Sequence, residues 1–208
     1  MPFSFRELDI VRTNVPAWLA GPIWLACSIS AAAAQESASL TVEGFNQVPW
    51  GASITEIEAT YGPPANSETL DNGVIVLAYD DTLLERPSVT LYAILEGAGM
   101  VKGQQMVRLD LEAGDCEGQY RSYRDLVTLR FPLIRPIENY DYPFTMSFCE
   151  AVEAREGTWA TQWNDASTGS VVTVIVEQGT DVVKLIYESR VFLEWLGTVS
   201  EQAEDPSL

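Results

Sequence analysis

Seven strand-length runs of residues, separated mostly by turn chemistry, constrain this chain more than any other feature. They are 74–79, 88–95, 100–109, 144–152, 158–164, 170–177 and 182–188. Alternation is clear within them: Trp159, Thr161 and Trp163 share one side, Thr158, Ala160 and Gln162 the other. Asp71-Asn72-Gly73 leads into the first run, and between later ones lie Glu96-Gly97-Ala98-Gly99, the stretch Asn164 to Gly169, and Gln178-Gly179-Thr180-Asp181. Connections this short make hairpins, whereas parallel strands need a crossover of about a dozen residues or more. The strands are therefore expected to be antiparallel.

Each group of strands follows a helix signal. In WGASITEIEATYGPP (50–64), Ser53 and Glu56 form a capping box, and Ile54, Ile57 and Tyr61 recur on one face. Gly62, Pro63 and Pro64 stop that helix. A second helix is expected from near Asp115, with Tyr120, Tyr123, Val127 and Phe131 on one face and FPLIRP (131–136) closing it. Residues 191–196 form a last amphipathic turn that can cover the sheet. The order helix, strands, helix, strands, short helix reads as an α+β fold: one antiparallel sheet or two, with short helices on one face, and two helix-plus-strands units at 45–112 and 113–196.

The start of the chain carries a different signal. From Thr13 to Gln35 there is no charge, and the run ends in four alanines. Ala32 and Ala34 would sit at the small-residue positions of a signal-peptidase site before Gln35, so residues 1–34 read as a signal peptide. Glu7 and Asp9 beside Arg6 fit the leading region poorly, and translation starting at Val11 would repair this. The competing reading is an uncleaved anchor, which Pro16, Gly21 and Pro22 disfavour. A lipoprotein reading at Cys27 is weakened by Trp24 at the leucine position. Residues 35–44 read as a flexible start and 197–208 as an acidic tail.

Removing the signal leaves two cysteines, Cys116 and Cys149, an even count that reads as a disulfide in an exported chain. A buried thiol pair or a metal site are the rivals, and two sulfurs without histidine make a poor zinc site. The expected location is the periplasm or the exterior.

At 51–64 the spacing G-x-S-x-x-x-I-x-x-x-x-G-x-P resembles the helix entry of the outer-membrane-assembly lipoproteins of the BamE/SmpA group. The helix-then-hairpins unit used twice resembles the tandem architecture of the β-lactamase-inhibitor-protein fold. This resemblance implies a short capped helix packed across an antiparallel sheet, and a role in protein binding or envelope assembly. It departs at the missing lipobox and at Phe131-Pro132, where the first unit has Gly62-Pro63.

Chemistry is limited by what is missing. No histidine occurs, which excludes serine–histidine triads and HExxH zinc sites. With 12 basic and 30 acidic residues the net charge is −18, a poor match to nucleic acid or anionic membranes. Hydrophobic residues at 47% with six Trp, eight Tyr and seven Phe separate the chain from disordered acidic sequences and predict a packed core. Asp110, Glu112 and Asp115 cluster before the second helix, and Asp80 and Asp81 stand at a strand end. Paired carboxylates there would suit a hydrolase such as a glycosidase, while a solvated surface with Asp115 near a helix start is the simpler reading. No calcium-loop pattern is present. Arg121, Arg124, Arg130 and Arg135 crowd fifteen positions and could meet an anion or acidic partner, or pair internally.

No catalytic, metal or cofactor residues are expected from these patterns. The expectation is an exported non-enzymatic binding or accessory module that contacts another envelope protein, binds no nucleic acid and keeps no integral membrane span after signal cleavage. A carboxylate-dependent hydrolase is the alternative.

Overall fold

The structure, a computed structural model, describes residues 41–141, 143 and 145–204. The expected signal segment lies outside the described residues, as do the first residues of 35–44 and the last of 197–208. The order is β1 (Gly44–Phe45), β2 (Val48–Pro49), α1 (Ile54–Tyr61), β3 (Asn66–Thr69), β4 (Ile75–Leu83), β5 (Arg86–Leu95), β6 (Gly99–Arg108), α2 (Cys116–Arg130), β7 (Pro136–Asp141), α3 (Phe148–Glu153), β8 (Thr158–Asp165), β9 (Ser170–Val176), β10 (Val182–Glu188) and α4 (Arg190–Glu204). The fold is α+β. Strands β3 to β10 make one antiparallel sheet in the order β3-β4-β5-β6-β10-β9-β8-β7. That order is palindromic: two four-stranded meanders meet through their last strands, with Gln105 opposite Leu185 at the seam.

Local chemistry explains most boundaries. Ser53 and Glu56 make the expected box, with Glu56 N–H donating to Ser53 Oγ at 3.3 Å and Ser53 N–H to Glu56 Oε2 at 2.8 Å. Asp115 caps α2 by accepting from Gly118 N–H at 3.0 Å. In the β4–β5 hairpin the two turn residues, Leu84 and Glu85, have φ of 49° and 63°, the left-handed pair a tight hairpin demands. Neither is glycine or asparagine. The sequence therefore shows no turn there, and the reading that ends one strand at 79 and starts the next at 88 misses the full hairpin.

One expected strand is wrong. The run 144–152 contains helix α3 instead, because Ser147 and Glu150 form a second capping box, with bonds of 3.3 and 2.7 Å. Phe148, Ala151 and Val152 then point into the core at helical spacing. The strand of this region is β7, at Pro136–Asp141, an edge strand that tolerates proline at its first residue and shows no apolar alternation. The opposite edge, β3, is exposed throughout and equally silent in sequence. Helix α4 runs through Glu204, so much of the stretch read as an acidic tail is helical.

The core lies between the sheet and α1, α2, α3 and the β1–β2 hairpin. Ile57, Tyr120, Tyr123, Val127 and Phe148 meet Leu77, Tyr92, Trp163, Val174, Val183 and Leu185 from the strands. Each such side chain, fully buried, contributes about 1.5 to 3 kcal/mol. Helix α4 lies on the other face. Its Phe192 is 1% exposed and sits 4.9 Å from the ammonium of Lys102, which belongs to the outward row of β6. Beneath it Lys102 and Glu188 form a buried ion pair at 3.0 Å.

The segment from Val42 to Ala52 straps the two meanders together. Val42 N–H donates to Asp165 of the second at 2.8 Å, while Gly51 N–H and Met100 N–H exchange bonds with Met100 and Ala52 carbonyls of the first at 2.9 and 2.8 Å. No helix of the described residues is long and apolar enough to cross a membrane.

Candidate functional site

The strap shapes a cleft on the helix-bearing face. Its tip, Asn46-Gln47, again has two left-handed residues, with φ of 46° and 66°. Phe45 beside it settles directly on Gly103, where any Cβ would strike the ring. Its ring stands 4.9 Å from Tyr187 and 5.5 Å from Tyr92. The Tyr61 hydroxyl, at the end of α1, donates to the Asn46 carbonyl and pins the tip. Between this hairpin and the sheet is a cleft of 270 Å³.

Aromatic walls come from Phe45, Tyr61 and Tyr187, with Leu126 of α2 and Leu185 of β10 adding apolar surface. Asp81 and Gln105 line it from the sheet, and Arg130, the last residue of α2, lines it from the helix side. A neighbouring hollow of 350 Å³ shares Phe45, Gln47 and Arg130. The Arg130 guanidinium stacks near Phe131 and Tyr187, 5.6 and 5.8 Å from their centroids.

The sheet lining is a polar network in an otherwise apolar layer. Asp81 Oδ2 accepts from Thr90 Oγ1 at 2.8 Å and from Gln105 Nε2 at 3.1 Å, and Oδ1 accepts from Thr82 N–H at 2.7 Å. Gln105 Nε2 also donates to Ser88 Oγ at 3.1 Å. Burial pushes the Tyr92 phenol far up, with Tyr61 beside it, and burial with the nearby Glu58 charge raises Tyr79. These tyrosines stay protonated and are not bases; the Tyr79 hydroxyl donates to the Gly62 carbonyl at 3.3 Å, and Tyr92 contributes apolar surface.

The candidates marked in the sequence are distributed over several places. Cys116 and Cys149 lie at disulfide distance, with Cα atoms 5.4 Å apart, and join the start of α2 to α3. Arg121 pairs with Glu117 at 2.6 Å and lies 5.5 Å from Trp159. Arg124 pairs with Asp125 at 2.7 Å and Glu138 at 3.1 Å; burial alone would lower its pKa, and these carboxylates raise it. Arg135 is exposed in the α2–β7 loop, so only Arg130 of the four reaches the cleft. Asp110 accepts from Ala113 N–H at 3.2 Å and Asp115 caps α2, both in the β6–α2 loop with the exposed Glu112. Neither hollow is lined by these three; each has one carboxylate, Asp81 or Glu43. Trp159 and Trp163 are core residues, 3% and 0% exposed.

Asp81 and Gln105 are the residues the sequence reading missed as a pair. Their signal is parity: Asp81 shares the inward side of β4 with Leu77 and Tyr79, and Gln105 that of β6 with Val107. An inward polar residue in an apolar alternation marks a site, and reading the strand as ending at 79 hid it.

The outward face of the sheet is the second surface of interest. Register places Ala78, Leu91, Gln104, Ile186 and Thr173 in one transverse row, and Asp80, Val89, Met106, Lys184 and Ile175 in the next. Leu91, Val89, Met106 and Ile175 are half-buried. No protein-family model, curated protein or solved structure matches the chain.

Proposed function

We propose that this protein is an exported binding module that contacts another envelope protein through the outward face of its sheet. The observation that carries the reading is the apolar patch of Val89, Leu91 and Met106 on neighbouring strands, with Ile175 beyond Lys184. Apolar side chains grouped on a broad, twisted surface and rimmed by charge are what a partner face needs. Asp80 and the Lys184–Glu177 pair, at 2.7 Å, supply such a rim. The resemblance to the BamE/SmpA group and the β-lactamase-inhibitor-protein fold supports the same role. Export rests on the apolar leader and the cysteine pair.

Of the carboxylates considered for hydrolysis, Asp110 and Asp115 are engaged in a turn and a cap, and only Asp81 lines the cleft, which favours binding over paired-carboxylate catalysis. The test is in-cell cross-linking of the wild type, of Leu91→Lys with Met106→Lys, and of Arg121→Gln as a surface control. A specific adduct should form with the wild type and Arg121→Gln and vanish in the double variant, whose thermal midpoint should stay near that of the wild type. An adduct that survives the double substitution removes the face from the interaction. Turnover of a glycan by the purified wild type would move the reading to a hydrolase.

A further inference from the structure

We infer that the 270 Å³ cleft on the helix-bearing face binds a small zwitterion of the amino-acid type, a free α-amino acid with an apolar side chain. This site lies on the opposite side of the sheet from the proposed docking face and stands independently of it.

Three features set the chemistry. The first is an acceptor left open to the cleft. Gln105 is 4% exposed, and both its hydrogen bonds leave from Nε2; its carbonyl oxygen takes none among the described residues. The residue is otherwise enclosed and lines the cleft, so its open acceptor is placed to take a donor from a ligand. Asp81 beside it adds charge. Three of about four acceptor positions on that carboxylate are filled, by Thr82, Thr90 and Gln105. One position remains, on Oδ1, and a compact ammonium carries several donors for the acceptors that Asp81 and Gln105 bring to the same cleft.

The second feature is the opposite charge in the same cleft. The Arg130 guanidinium suits a carboxylate, for which its planar donor fork gives short, charge-assisted bonds. A purely cationic ligand would face that guanidinium, and a purely anionic one would face Asp81. A ligand bearing both charges satisfies both ends.

The third feature is size and lining. Phe45, Tyr187, Leu126 and Leu185 give an apolar wall, and 270 Å³ sits just under the usual range for small-molecule sites of about 300 to 1,000 Å³. That volume accommodates an amino acid of leucine size. The acidic chain at large does not oppose such a ligand, because a zwitterion has no net charge.

Calorimetry on the whole protein tests the assignment with L-leucine, N-acetyl-L-leucine and L-leucinamide as probes. L-leucine should bind once per chain. Removing the ammonium charge by acetylation, or the carboxylate by amidation, should each weaken binding at least about tenfold. Arg130→Gln should erase the preference for leucine over leucinamide, and Asp81→Asn the preference over N-acetyl-leucine. Two variants that each abolish a different preference cannot both be explained by unfolding. Leu91→Lys should leave leucine binding unchanged, which separates failure here from failure of the docking face. No saturable heat with leucine up to about 10 mM, or equal binding of the three probes, would overturn the assignment. Leucyl-glycine binding as tightly as leucine would overturn the choice of a free amino acid.

Discussion

The two meanders share an order of elements and differ in what fills them. The second, β7 to β10, which we call the dry half, meets its helices mainly through apolar side chains: Val172, Val174, Val176 and Val183 interlock with Trp159 and Trp163, and Tyr120 stacks on Trp159 at 4.4 Å while its hydroxyl hydrogen-bonds Thr161 at 2.9 Å. The cysteine pair clamps its two helices together. In the first, β3 to β6, the corresponding inward positions include Asp81, Ser88, Thr90 and Gln105. Polar side chains there weaken the layer, since a buried hydrogen bond contributes only about 1 kcal/mol net against about 1.5 to 3 for a buried aliphatic side chain. The difference teaches that stability is concentrated in one half and recognition chemistry in the other, and that each can be broken separately.

The largest effect should come from the dry half. Trp163→Ala empties a fully buried site and should cost about 3 to 5 kcal/mol, read from the denaturant midpoint. Gln105→Leu in the polar half should cost far less, about 1 to 2 kcal/mol, because Asp81 keeps two of its three donors and an apolar side chain fills the space. Comparable losses from the two would dissolve the distinction between the halves. Next in size is the clamp. Cys116→Ser with Cys149→Ser opens a loop whose ends are 33 residues apart, and the chain-entropy relation puts the loss at about 3 to 4 kcal/mol in the oxidised protein. A reductant should remove that gap. If wild type and double variant unfold at the same denaturant concentration before reduction, the pair is not oxidised and does not serve as the clamp.

The same division explains what the sequence made legible. The dry half reads well, because Trp159 and Trp163 recur on one side of β8, β9 is rich in β-branched residues, and glycine-containing turns flank them. Edge strands do not read, since β3 and β7 bury too little apolar surface to impose a period. Helix α3 was legible through Ser147 and Glu150, but Phe148, Cys149, Ala151 and Val152 form an apolar run that also suits a strand. The cleft is the part least open to sequence reading. Arg130 was marked only as one of a cluster of arginines, whereas Asp81 and Gln105 come together only through the β4–β5–β6 register, 24 residues apart. The unmarked Leu84-Glu85 turn fixes that register.

A pH-dependent effect smaller than those of Trp163 and the clamp tests whether the halves are coupled. Asp165 belongs to the second meander but anchors the strap that walls the cleft on the first, accepting Val42 N–H at 2.8 Å, Ser167 N–H at 2.9 Å and Thr168 Oγ1 at 2.9 Å. Burial alone would raise its pKa; the bonds from Ser167, Val42 and Thr168 outweigh that and hold it at about 2, against an ordinary 3.8. Because the folded value lies below the unfolded one, the stabilisation is present above about pH 4 and is lost as pH falls through 2. The shift corresponds to about 2 kcal/mol for this buried group. Asp165→Asn should therefore lose about 2 kcal/mol at pH 7, and the gap from the wild type should close as both are acidified towards pH 2, read by urea midpoints at each pH. Its second readout is the cleft. A strap released from Asp165 carries Phe45 away from Gly103 and Tyr187, so the variant should also lose part of the aromatic signal in near-ultraviolet circular dichroism. A stability gap that stays constant from pH 7 to pH 2 would mean that Asp165 is not the titrating tie. A gap that closes while the aromatic signal is unchanged would mean that the strap is held from the first meander alone, through Met100, and that the two halves are joined only along the β6–β10 seam.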